Sequence, residues 1–316
     1  MDDRGGAAQR TRRREARRIR TRRGRRIVVG VLVLAAAAAT GVALWPHSAP
    51  RTPVGRRTDP PVAAAHRVHA KARHAVRRPS GAAVPILMYH VIAAPIPGAR
   101  FPGLYVDPGS FRAQMHALAE AGYDAVTLDQ VRRAWLGRGT LPKQPIVISF
   151  DNGYRTQYTE ALPILRRLGW VAVENLQLTG LPPSAGGLAP WEVRRLVASG
   201  WELDTQGESH ADLIALDAAQ LTFQIRDARE TLRREYHVPV DWFCYPSGYY
   251  DLAVAAEVAA AGFVGATTVV PGWARPGESP YTLPRLRVLG GTTPAELLRL
   301  IQATRGAPSP PAEYPS

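Results

Sequence analysis

The stretch Ile146 to Tyr154, reading I-V-I-S-F-D-N-G-Y, constrains the fold of this chain more than any other. Ile146 to Phe150 form a β-branched and aromatic run preceded by Pro145, which suits a strand buried on both faces. The run stops at Asp151-Asn152-Gly153. At the carboxyl end of a parallel strand, side chains project into the loop face where α/β proteins bind ligands, and a glycine just beyond lets the backbone turn sharply. Asp151 is therefore a candidate base or ligand; the other reading is that it only caps the helix that follows.

On either side of this stretch, short apolar runs alternate with amphipathic ones. P-I-L-M-Y at Pro85 to Tyr89 predicts a strand that ends at His90. Asp107-Pro108 predicts a helix start, with Phe111, Met115 and Leu118 on one face and Gly122 as a stop. Val126 and Leu128 suggest a strand, followed by a helix through Trp135; Gln157 to Leu168 is amphipathic. Further strands are expected near Val171 to Leu176, Trp201 to Thr205, Trp242 to Tyr245 and Phe263 to Thr267. Helices are expected over Pro190 to Ser199, Asp217 to Tyr236, Leu252 to Ala261 and after Thr293. Strands and helices in this order mean parallel βαβ units, and about seven of them favour a barrel over an open sheet. The expected organisation is one barrel domain over 85–305, with 306–316 as a disordered tail.

The formal charge of +14 would suit a nucleic-acid binder were it not for its location. Residues 1–26 carry +9 and residues 46–84 carry +7, which leaves 85–316 at −2. Between the basic segments, Ile27 to Trp45 contains no charged residue. A helix of that length nearly matches a hydrocarbon core of about 30 Å. The arginines before it place its amino end, and the basic tail 1–26, in the cytoplasm and send the rest across the membrane. The sequence thus predicts a single-pass cell-membrane protein with an extracellular barrel. The segment 27–45 reads as an uncleaved signal anchor in contact with membrane lipid, or alternatively as a cleaved signal peptide. The Pro-, Ala- and Arg-rich segment 46–84 reads as a disordered linker. No nucleic-acid partner is expected. The single cysteine, Cys244, excludes an internal disulfide and any zinc site built on several thiolates.

Three more stretches could carry chemistry. G-W-E-L-D-T-Q-G-E-S-H-A-D-L, from Gly200, places Gln206 four residues before His210. F-C-Y-P-S-G, from Phe243, is a strand running into a turn, and Y-T-L-P-R-L-R-V, from Tyr281, offers Arg285 or Arg287 to a carboxylate. Tyr154, Trp191, Trp201, Tyr245, Tyr249 and Trp273 fall in or near the expected loop face, where each would either pack the barrel or face a ligand.

In order, P-I-L-M-Y-H, S-F-D-N-G-Y, the Gln206–His210 stretch, F-C-Y-P-S-G and L-P-R-L-R-V resemble the polysaccharide deacetylases, carbohydrate esterase family 4. The resemblance implies a distorted (β/α) barrel that removes acetyl groups from N-acetylated polysaccharide with a divalent metal, usually zinc. By that resemblance Asp151 falls on the catalytic base, and His90 on an active-site histidine and possible general acid. Asn152, Gln206 and His210 fall on the metal ligands; Tyr154, Tyr245 and Arg285 are the expected substrate contacts. Two ligand positions depart from the family pattern, since Asn152 replaces an aspartate and Gln206 a histidine, and Cys244 stands where an arginine would hold the base. An amide carbonyl contributes only a dipole to a cation, whereas zinc prefers imidazole, thiolate and carboxylate. Three functions stay open on the sequence: an N-acetyl hydrolase acting on cell-wall or extracellular glycan, a glycan-binding relative that has lost the metal, and a membrane-tethered scaffold.

Overall fold

The computed structural model describes residues 81–314 of this chain. The expected cytoplasmic tail, the apolar run 27–45 and the linker up to residue 80 lie outside the described residues. Within these, no helix is long and apolar enough to cross a membrane.

Among the described residues nine strands make one sheet: β1 Val84–Tyr89, β2 Asp124–Ala125, β3 Pro145–Asp151, β4 Val173–Leu176, β5 Glu202–Thr205, β6 Trp242–Cys244, β7 Gly265–Thr267, β8 Trp273–Ala274 and β9 Leu286–Arg287. Seven follow one another in the order β7-β6-β5-β4-β3-β1-β8 and curl into a half-barrel. From β7 to β1 every pairing is parallel, as the alternating pattern predicts. The exception is β8, which runs antiparallel to the start of β1. Only a short loop separates it from β7, and without a crossover helix the chain cannot return to run parallel. The chain from Leu283 to Arg287 spans the remaining gap. Leu283 N–H donates to Ala266 C=O at 2.9 Å on the β7 side, while β9 pairs in parallel with β1.

Period-two alternation along β3 divides the interior into two layers. Ile146, Ile148 and Phe150 join the large apolar core with Phe111, Met115 and Leu118 of helix α1 (Pro108–Glu120). Val147 points the other way, into a smaller cluster with Val84, Ile86, Val173, Trp242 and Leu283. Further along the same inward face come Ser149 and Asp151. The barrel interior therefore changes from apolar to polar toward the carboxyl ends of the strands, where the site forms.

Helix ends obey local signals. Asp107 caps α1, accepting from Gly109 N–H at 2.8 Å, and Pro108 occupies the first turn. The strand expected at Val126 and Leu128 is instead β2 followed at once by α2 (Leu128–Trp135). Thr127 and Gln130 form a capping box, which starts the helix at Leu128, a residue whose own propensity favours helix. After α3 (Leu162–Leu168) and α4 (Pro190–Ala198), the long helix expected over 217–236 is capped by Asp217. It comprises α5 (Ala218–Thr222) and α6 (Ala228–Tyr236), joined by a π turn over Phe223–Asp227. Next come α7 (Leu252–Ala260) and α8 (Pro294–Ala303). The end of the chain, read from the sequence as a disordered tail, pairs through Tyr314 with Tyr250 by two backbone hydrogen bonds. The Tyr250 hydroxyl also donates to Pro311 C=O at 2.6 Å.

Candidate active site

The site begins where β3 ends. Asn152 and Gly153 both take positive φ, 75° and 82°, so the chain leaves the strand through two left-handed residues. Asparagine tolerates that conformation better than most residues. Space at Gly153 is also tight, because a Cβ there would lie 2.4 Å from Leu176 Cδ1 and the leucine tip would have to move. The double turn leaves Asp151 as the last inward-facing residue of the strand.

Asp151 is buried, and its carboxylate is held from three strands. Asn175 of β4 donates to Oδ1 at 2.9 Å. Arg285, just before β9, donates from both terminal nitrogens, at 2.7 Å to Oδ1 and 2.8 Å to Oδ2. Cys244 of β6 approaches Oδ2 at 3.7 Å. The guanidinium is itself fixed, donating also to Thr268 C=O at 2.8 Å and Ser149 Oγ at 3.2 Å, with Cys244 Sγ at 3.1 Å. A fork-on-fork pair of this kind is the strongest arrangement open to two such groups. Burial alone would push the Asp151 carboxyl up, but the Arg285 guanidinium holds it down to about 2. Burial beside these groups pushes the Cys244 thiol up to about 12, so it stays protonated.

His90 leaves the end of β1 with Nε2 4.0 Å from Asp151 Oδ2. Gln157 pins both loops, its amide donating to the carbonyls of His90 and Asp151 at 2.9 Å each. Burial lowers the His90 imidazole to about 4 in spite of the pull of Asp151, so it is neutral at neutral pH. The half-buried His210 is also lowered, again chiefly by burial. Gln206, at the end of β5, is buried, and its Oε1 has no hydrogen-bond partner.

His90, Asp151, Asn152, Tyr154, Gln206, His210, Tyr245 and Arg285, all expected site residues, line a single cavity of about 510 Å³. Their expected roles fare differently. Arg285 is fully buried and committed to Asp151, so it positions the carboxylate instead of gripping a substrate. It does from β9 the work expected of the residue that Cys244 replaces. Tyr245 is also fully buried; it stacks on Tyr250 at 4.8 Å and spends its hydroxyl on Tyr281 C=O at 3.0 Å. Tyr154 remains half-buried at the cavity wall, and Phe101, Leu181 and Tyr249 join it there. Of the other aromatics read toward this face, Trp201 packs inside against Phe150, 5.1 Å between centroids, and Trp191 packs on Tyr158. Trp273 is buried, donating to Ile301 C=O. Sequence reading missed Asn175, although polar residues inside the expected strand Val171 to Leu176 are themselves a signal that something nearby needs a hydrogen bond.

The residues aligned with a metal site do not suit zinc. The three positions offer one imidazole and two neutral amides, and the Asn152 amide donates to Gln177 Oε1 at 3.3 Å. Among the described residues Asp151 is the only carboxylate on the cavity wall, and both its oxygens are engaged by Arg285. Among the described residues no group of three or more His, Cys, Asp or Glu side chains is placed to hold a metal ion.

Comparison with known proteins points in one direction. Residues 138–266 match the family model Polysaccharide deacetylase. YxkH of Bacillus subtilis (strain 168), which carries the name of a polysaccharide deacetylase, is 25% identical over 213 residues, 66% of this chain and 73% of that protein. The poly-β-1,6-N-acetyl-D-glucosamine N-deacetylase of Escherichia coli (strain K12) is 40% identical over 68 residues, which is 22% of this chain but 10% of that protein. Among solved structures, the Streptococcus pyogenes deacetylase PplD, determined in complex with acetate, is similar with a TM-score of 0.65 at 25% identity. It covers 70% of this chain and 99% of its own.

Proposed function

The chain belongs to the polysaccharide deacetylase family, and on that premise we propose that its barrel is a hydrolase that removes N-acetyl groups from an N-acetylated polysaccharide. The observation that carries this reading is Asp151, buried and anchored by Asn175 of β4 and by Arg285 just before β9, lining the same cavity as His90. Hydrolysis joins the oxygen of a water to the acetyl carbon and breaks the carbon–nitrogen bond, leaving acetate and a free amine. The water must lose a proton and the nitrogen must gain one. Asp151 and His90 act as one proton-carrying pair, which takes the proton from the water and returns it to the leaving nitrogen. Arg285 keeps the carboxylate ionised and correctly turned, so that its charge faces the imidazole when that imidazole is protonated. The similarity to a poly-β-1,6-N-acetyl-D-glucosamine N-deacetylase supports a β-linked N-acetylglucosamine polymer as the substrate class.

The test is acetate release from N-acetylglucosamine oligomers and from poly-β-1,6-N-acetylglucosamine. Asp151→Asn should lower the rate by a factor of 10² or more, on the order usual for losing acid–base catalysis. A folded wild-type protein that releases no acetate from either polymer overturns the reading. We also propose that 27–45 anchors the chain, with the barrel outside the membrane. Its nineteen uncharged residues and the arginines before them support this. Protease added to intact cells should then digest the barrel, and protection of the barrel would count against export.

A further inference from the structure

We infer that the position where this family holds its metal is, in this chain, a neutral amide site that binds the substrate's acetamido group without a metal ion. The inference rests on the functional reading above for its ligand and on the donor set for its chemistry. Among the described residues the charged side chains around the cavity are Asp151, Arg285 and Arg287. Arg285 neutralises Asp151 through two hydrogen bonds, which leaves Arg287 in excess. A dication entering here would give up its water with no free anion to replace it, the opposite of the balance that metal centres need.

What the site does offer is an unfilled acceptor. Gln206, at the end of β5, lines the cavity, and its Oε1, buried behind that wall, receives no hydrogen bond. An acceptor withdrawn from water and left unpaired is unfavourable, and a neutral N–H donor relieves it without bringing charge into the barrel. An acetamido nitrogen is such a donor, whereas the ammonium of a deacetylated sugar would meet the positive field of Arg287. The site therefore prefers the acetylated to the deacetylated sugar. The replacement of two ligand types by amides becomes a change of binding mode rather than a loss of one.

The full chain decides this in two sets of measurements. In the first, bound metal is determined by elemental analysis, and Zn²⁺ and Co²⁺ are titrated calorimetrically into wild type and into Asn152→Asp/Gln206→His. Wild type should hold no stoichiometric metal. The double variant, with an anionic and an imidazole ligand added, should bind one ion with an affinity higher by about 100-fold or more. One tightly bound zinc per wild-type chain overturns the inference whether or not the variant folds. In the second, N-acetylglucosamine oligomers and their deacetylated counterparts are titrated with and without EDTA. Binding of the acetylated oligomer should be indifferent to EDTA and weakened roughly 10-fold by Gln206→Leu, with the deacetylated oligomer unaffected. Binding abolished by EDTA, or an equal loss for both oligomers, overturns it. If no oligomer binds under any condition the functional reading falls, while the metal measurements still decide the ligand set.

Discussion

Arg285 lies 134 residues from Asp151 in the chain, yet every polar contact of its guanidinium serves that one carboxylate and its surroundings. Removing one partner of a buried ion pair leaves the other charged and out of water, which typically costs about 3–5 kcal/mol. Arg285→Met should therefore lower stability by about that amount in denaturant unfolding, besides abolishing activity. Arg285→Lys should recover part of the stability but little of the activity, because an ammonium cannot donate as a planar fork to both oxygens. Equal stability of the Met variant and wild type would show that the pair does not hold the barrel top together. The same reasoning accounts for Cys244. A small, neutral residue leaves space between β6 and β3 for a guanidinium that comes from β9, and its own thiol stays protonated.

At the scale of elements, the strand that carries Asp151 depends on its outward face. Phe150 stacks on Trp201 and leans on Tyr89 and Phe111, with ring centroids 5.1, 5.8 and 5.9 Å away. Phe150→Ala should cost about 3–5 kcal/mol, as large-to-small changes in packed cores do. Thr127→Ala, which removes the capping box at the start of α2, should cost only about 1 kcal/mol. Both are read from the shift in denaturation midpoint at constant slope. The contrast separates packing of the sheet from local helix initiation. At the opposite end of the strands, burial and Asp129 raise the Glu202 carboxyl to about 7, and burial and Glu202 raise Asp204 well above its ordinary range. A carboxyl raised in the folded state contributes stability that is complete below its unfolded value, about 4.3, and disappears as pH rises through about 7. Relative to Glu202→Gln, wild type should thus lose melting temperature between pH 5 and pH 8. A constant difference across that range would mean that Glu202 does not titrate there.

Over the whole molecule, the outcome turns on how a ring of strands closes. Amphipathic spacing, helix caps and the buried run Ile146–Phe150 made the alternating elements legible, because each depends on residues a few positions apart. The candidate list was legible too, since residues at the carboxyl ends of parallel strands must share one face. That is why eight side chains drawn from five separate stretches line one cavity. Their roles were legible only in part. Tyr245 read as a ligand contact until the fold placed Tyr250 and Tyr281 against it, and Arg285, read both as a partner for a carboxylate and as a substrate contact, was committed to Asp151 once Leu283–Arg287 filled the gap between β7 and β1. Local sequence determined which residues lie at the ends of the strands, because backbone propensity and side-chain periodicity act over short range. Only the tertiary structure decided which of them face each other and which face a ligand. Burial and charge pairing depend on neighbours that are distant in sequence and come together only when the sheet curls.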